Sequence, residues 1–89
     1  MAPSAQEIYT ELRAYIAENF LDGKENGEFT RDTPLLEWGV LNSMNTAVLI
    51  SHIRERFGVE IPPSHITGKR FRNLHSITEM VRELYVQAA

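Results

Sequence analysis

Apolar residues recur at three- and four-residue steps through Ile8, Leu12, Tyr15, Ile16 and Phe20, the spacing that gathers them on one side of an α-helix. Ser4-Ala5-Gln6-Glu7 precedes that stripe and has the form of a capping box, so the pattern predicts a helix from about Ala5 to Phe20. Leu21-Asp22-Gly23-Lys24-Glu25-Asn26-Gly27 then breaks it with glycines and polar residues. A second stripe, Leu49, Ile50, Ile53 and Phe57, predicts a helix that opens at Ser43 and stops at Gly58, a residue suited to a left-handed C-terminal cap. A third, Ile77, Met80, Val81 and Leu84, follows a second capping-box sequence, Ser76-Ile77-Thr78-Glu79, and predicts a helix from about Ile77 to Val86. Between the last two, Val59 to Pro63 reads as extended, and Thr67 as the cap of a short helical turn from Gly68 to Arg72. No alternation of period two is long enough for a sheet. The expected fold is all-α: a small four-helix bundle, three main helices plus one short helix, in a single domain over residues 1–89.

The long connection before the second helix does not read as an inert linker. Phe29, Leu35, Leu36, Trp38, Val40 and Leu41 punctuate it, too many apolar side chains to leave exposed together. Pro34 biases Thr33 toward extended backbone, and Gly39 offers a positive φ to turn the chain. Long ordered connections in small domains usually serve function.

Composition narrows the chemistry. A chain of 89 residues with 43% hydrophobic and 24% charged residues sustains one modest core, not a deep active site of its own. The absence of cysteine excludes disulfides, thiolate metal sites and a cysteine nucleophile, so any thiol must be imported. His52, His65 and His75 lack ligand spacing, which argues against a metal site. No G-x-S-x-G elbow marks a hydrolase serine. Net charge −3 has the wrong sign for nucleic acid, although Lys69, Arg70 and Arg72 cluster locally, while Glu18, Asp22, Glu25, Glu28, Asp32 and Glu37 lean acidic. No leader-like N-terminus and no apolar run of about 18 residues is present, so a cytoplasmic monomer that avoids membranes is expected.

Ser43 is the residue of chemical interest. It ends a loop and starts a helix, where its oxygen is placed to cap the N–H of Asn45 or Thr46, and a plain cap is the simpler reading of its position alone. Two details point elsewhere. Thr46 stands where a capping box would have Glu or Gln, and Met44 falls outside the apolar stripe, leaving a large side chain exposed beside the hydroxyl. A helix N-terminus also favours a phosphate.

Gly39-Val40-Leu41-Asn42-Ser43-Met44, followed by Phe57-Gly58-Val59-Glu60-Ile61-Pro62, resembles the attachment region of acyl and peptidyl carrier proteins, and the likeness runs from about Ile8 to Leu84. It implies an acyl carrier protein-like bundle in which Ser43 bears a covalent 4′-phosphopantetheine arm taken from coenzyme A by a phosphopantetheinyl transferase. The chain itself would then have no catalytic residues. The family usually has Asp before the serine; Asn42 keeps an acceptor oxygen there but not the charge. Thr33-Pro34-Leu35-Leu36-Glu37-Trp38-Gly39, Leu41 to Asn45, His65-Ile66-Thr67-Gly68-Lys69 and Phe20-Leu21-Asp22-Gly23 look like the free-standing prolyl and pyrrolyl carriers of nonribosomal antibiotic pathways. That likeness implies an adenylating ligase that loads L-proline, a flavin-dependent dehydrogenase that makes the pyrrole-2-carboxyl thioester, and a downstream acyltransferase, halogenase or synthase. D-alanyl carriers share the pattern Gly39 to Thr46 and are the nearest alternative; a helical interaction module with Ser43 as a mere cap is the alternative from another class. Partner contacts are expected on Trp38, Val40, Met44, Ala47, Val48 and Ser51. His52, Arg54, Glu55 and Arg56 make the second helix less acidic than the face usual in fatty-acid carriers, so contact along it should rest more on apolar surface than on charge.

Overall fold

The computed structural model describes residues 3–20 and 30–88, with side chains as far as 85. The described residues form three α-helices, α1 (Ala5–Phe20), α2 (Ser43–Phe57) and α3 (Leu74–Ala88), with residues 30–42 leading into α2 and a 3₁₀ turn at Pro63–His65 before α3. The breaker-rich segment 21–27, Phe29 and the acidic residues Asp22, Glu25 and Glu28 lie outside the described residues.

α1 begins where its capping box places it. The Glu7 N–H donates to Ser4 Oγ at 3.1 Å and the Ser4 N–H to Glu7 Oε1 at 3.3 Å. Its buried face is Ile8, Leu12, Ile16 and Ala17, and it packs chiefly on α3.

α3 starts a turn earlier than its sequence pattern suggests. Asn73, not Ser76, is the cap: the Ser76 N–H donates to Asn73 Oδ1 at 2.8 Å and the Ile77 N–H to the Asn73 carbonyl at 3.1 Å. The two candidate starts are chemically similar caps, and burial decides between them. Starting at Leu74 adds that fully buried side chain to the stripe of Ile77, Met80, Val81 and Leu84. Ser76 and Glu79 therefore sit inside the helix rather than at its entrance.

The turn after Ile66 forms with Thr67 as its cap, the Arg70 N–H donating to Thr67 Oγ1 at 3.2 Å, and it drives Phe71 into the core at 1% exposure. The 3₁₀ turn replaces part of the expected extended stretch. Pro62 and Pro63 explain it, since the fixed φ of proline suits the first position of a helical turn.

Residues 30–42 are strapped down by backbone hydrogen bonds. The Leu35 N–H reaches the Arg72 carbonyl at 2.9 Å, and the His75 N–H reaches the Arg31 carbonyl at 3.1 Å. Leu35, Val40 and Leu41 enter the core, and Gly39 takes the expected left-handed φ of 75°.

α2 is the most lightly buried helix. Only Leu49 and Ile53 are wholly inside, with Ile50 and Phe57 packed at the margin. Polar ties to α1 supplement them: Glu11 receives His52 Nε2 on one oxygen at 3.2 Å and Arg56 Nε on the other at 3.3 Å. The His52 ring also stacks on Tyr15, with centroids 3.7 Å apart and planes at 14°.

Candidate functional site

The chain enters α2 through Asn42, whose extended backbone (φ −136°, ψ −175°) and side chain make it the cap. Asn42 Oδ1 accepts the Asn45 N–H at 2.9 Å, and the Asn42 carbonyl accepts the Thr46 N–H at 2.8 Å. Asn45 Nδ2 in turn donates to the Val40 carbonyl at 3.1 Å, tying the helix start to the connection before it.

Ser43 is thus the first helical residue and not the cap, which corrects the sequence-based assignment. Two residues in succession, Asn42 and Ser43, carry capping side chains, and the amide takes the position because it also closes the turn onto Asn45. The consequence is chemical. The Ser43 side chain is exposed and makes no hydrogen bond among the described residues. The backbone N–H groups of Ser43 and Met44 have no backbone acceptor among the described residues either, as expected of a helix entrance.

The local electrostatics suit an anion on that hydroxyl. The first turn of α2 contains no acidic residue, and its last turn carries Arg54 and Arg56. Asn42 leaves the positive end of the helix dipole unneutralised where Asp would oppose it.

Beside Ser43 lies an open groove of about 440 Å³. Leu36, Ala47, Ile50, Ile66 and Phe71 line it together with Asn42 and Ser43. A phosphodiester on the Ser43 hydroxyl would have the N–H groups of Ser43 and Met44 to meet it, and the apolar groove residues would be available to a chain leading from it.

The expected partner surface is largely exposed. Trp38, Met44 and Val48 present 55%, 75% and 44% of their area to solvent, and Ala47 and Ser51 are exposed too. Val40 is the exception and is withdrawn from that surface: its side chain is 8% exposed and belongs to the core, drawn inward by the turn at Gly39. Leu36 and Ile66, both exposed groove walls, were not legible as surface residues. Leu36 is one of two adjacent leucines, of which only Leu35 turns inward, and Ile66 follows two prolines in a stretch without periodicity. His52 and Arg56 leave the outer face of α2 for Glu11, so that face is charged mainly by Arg54 and Glu55. No group of three His, Cys, Asp or Glu side chains among the described residues is placed to hold a metal ion, and no helix there is long and apolar enough to cross a membrane.

Comparison with known proteins adds three findings. The family model described as phosphopantetheine attachment site matches residues 10–84. No curated protein matches the chain. A solved structure described as "Crystal structure of FAD-dependent dehydrogenase" contains a chain with 31% sequence identity and a TM-score of 0.73; the match covers 80% of this chain and 99% of that one.

Proposed function

The chain belongs to the phosphopantetheine attachment family, and from that membership we propose that Ser43 is the residue that takes the arm. Family membership makes the protein a carrier rather than an enzyme, with 4′-phosphopantetheine as its covalent group. The observation that carries the assignment to Ser43 is its exposed hydroxyl, left without a partner because Asn42 does the capping.

In the attachment step Ser43 Oγ bonds to the phosphopantetheine phosphorus of coenzyme A, adenosine 3′,5′-bisphosphate departs, and the hydroxyl proton passes to the transferase. Once bound, the group supplies a thiol that holds an acyl chain as a thioester. The protein's own contribution is placement: Asn42 fixes the helix entrance, the free N–H groups of Ser43 and Met44 would hold the phosphate, and one recognisable surface would bring the cargo to each enzyme. Trp38, Met44, Val48, Leu36 and Ile66 are the large exposed apolar side chains among the described residues, and we assign them, with Ala47 and Ser51, to that surface.

Mass spectrometry after incubation with coenzyme A and a phosphopantetheinyl transferase tests the reading. One added phosphopantetheine on the wild type and none on Ser43→Ala is the expected result. An arm mapped to Ser4, Ser51, Ser64 or Ser76, or no arm at all, would overturn it.

The cargo reading is finer. We assign L-proline, oxidised in place to pyrrole-2-carboxyl, supported by the likeness of Thr33 to Gly39, Leu41 to Asn45 and His65 to Lys69 to prolyl and pyrrolyl carriers. The description of the similar solved structure as a FAD-dependent dehydrogenase accords with a flavin-dependent partner. The groove at Ser43 is open, and Phe71 in its wall is buried. Charging by an L-proline adenylating ligase supports this assignment; charging by D-alanine alone would move the protein to the cell-wall carriers.

A further inference from the structure

Asn42 and Asn73 cap their helices through the same bond, each Oδ1 accepting the N–H three residues on, at 2.9 and 2.8 Å. Their surroundings differ. Asn42 is exposed and followed by exposed Ser43, whereas Asn73 is half-buried and followed by Leu74, which is fully buried. Asn19 and Asn45 lie inside α1 and α2, and each donates its Nδ2 to a backbone carbonyl, of Tyr15 and Val40 respectively. Asn42 Nδ2 makes no hydrogen bond among the described residues.

The amide carbon of an asparagine side chain can be reached by the backbone nitrogen of the next residue, closing a five-membered ring. Four features of Asn42 favour that closure. The Ser43 N–H has no backbone acceptor among the described residues, so its nitrogen is not tied into the helix. Serine is not branched at Cβ, which leaves the approach to that nitrogen open. The Asn45 N–H on Oδ1 draws electron density from Cγ and stands where the oxyanion of the addition step forms. The Asn42 backbone is extended rather than helical, and turning its ψ loosens a bond at the helix end, from the Thr46 N–H to the Asn42 carbonyl. Asn45 is the contrast: its successor Thr46 is β-branched, and the Thr46 N–H is taken by that carbonyl.

We propose that Asn42 is a site of spontaneous deamidation, a modification that places a carboxylate next to Ser43. Ser43 N bonds to Asn42 Cγ, the Cγ–Nδ2 bond breaks, and ammonia leaves with the proton of the Ser43 N–H. Water then opens the cyclic imide, its hydroxyl going to a carbonyl carbon and its proton to the nitrogen, with no change of oxidation state. Opening at Cγ gives aspartate and restores the main chain. Opening at the Asn42 carbonyl carbon gives isoaspartate, with one extra main-chain carbon before Ser43. Aspartate keeps the oxygen that caps Asn45 and adds charge at the positive end of α2; isoaspartate displaces Ser43 from the helix entrance. On the reading of Ser43 as the attachment residue, the first product still accepts the arm and the second does not.

The test is incubation of the full chain in mildly alkaline buffer, folded and in urea, with deamidation at each asparagine read by peptide mass and fragment ions. Folding is expected to leave the Asn42 rate within about threefold of its value in urea. It is expected to slow Asn45 and Asn73 by at least about tenfold, a barrier increase of about 1.4 kcal/mol. Ser43→Val, which branches the successor, should slow Asn42 about tenfold in the folded protein. Asn26, which precedes Gly27, lies on a separate tryptic peptide between Lys24 and Arg31 and is scored apart. Protection of Asn42 by folding equal to that of Asn73, or indifference to Ser43→Val, would overturn the proposal. The two aged forms, separated, then meet coenzyme A and a phosphopantetheinyl transferase, and the arm is expected on the aspartate form alone. Equal loading of both would overturn the consequence drawn for the arm. Fresh wild type that takes no arm strikes the reading of Ser43 and leaves the deamidation rates standing.

Discussion

At the scale of single residues, the division between Asn42 and Ser43 makes distinct predictions. Asn42→Ala removes the cap on the Asn45 N–H and should cost about 1 kcal/mol in chemical denaturation. Ser43→Ala removes a hydroxyl that caps nothing, and its stability should stay within about 0.5 kcal/mol of the wild type. If the two costs were reversed, the cap would be misassigned. Asn42→Asp retains the acceptor and adds a negative charge at the positive end of α2, which should raise stability by about 0.3 to 1 kcal/mol, read as a higher Tm. The serine itself was legible from the sequence. Its freedom was not, because two adjacent residues had capping side chains and only the geometry of the turn onto Asn45 chose between them.

At the scale of elements, periodicity located all three helices, and local chemistry placed two of their ends. α1 follows its capping box, and α2 ends at Gly58, which adopts φ 69° with nothing within 4 Å of an added Cβ. Gly58→Ala should therefore cost about 1 kcal/mol from backbone strain alone. The start of α3 was misread because Ser76 to Glu79 imitates a box, whereas burial of Leu74 rewards an earlier entrance. Asn73→Ala should accordingly lower the Tm more than Ser76→Ala. α3 also buries the hydroxyl of Thr78 without a partner among the described residues. Thr78→Val keeps the shape and removes that unsatisfied group, so an increase of up to about 1 kcal/mol in unfolding free energy is expected, and a loss would mean that the hydroxyl has an acceptor.

At the scale of the whole molecule, α1 and α3 form the main packing, and α2 is attached through two buried side chains and the Glu11 ties. Ile53→Ala should cost about 2 to 5 kcal/mol, a large share of the stability of a domain this small, and urea denaturation would measure it. The fold class was legible because three amphipathic stripes had to face one another. The site was legible only in part, because Leu36, Ile66 and Val40 lie where the chain has no period, and which of them turns inward depends on Gly39 and on hydrogen bonds to distant residues such as Arg72. The unshared Ser43 hydroxyl has one more consequence. Attachment of the proposed arm at Ser43 would break no hydrogen bond seen among the described residues, so the helix entrance held by Asn42 need not open to accept it.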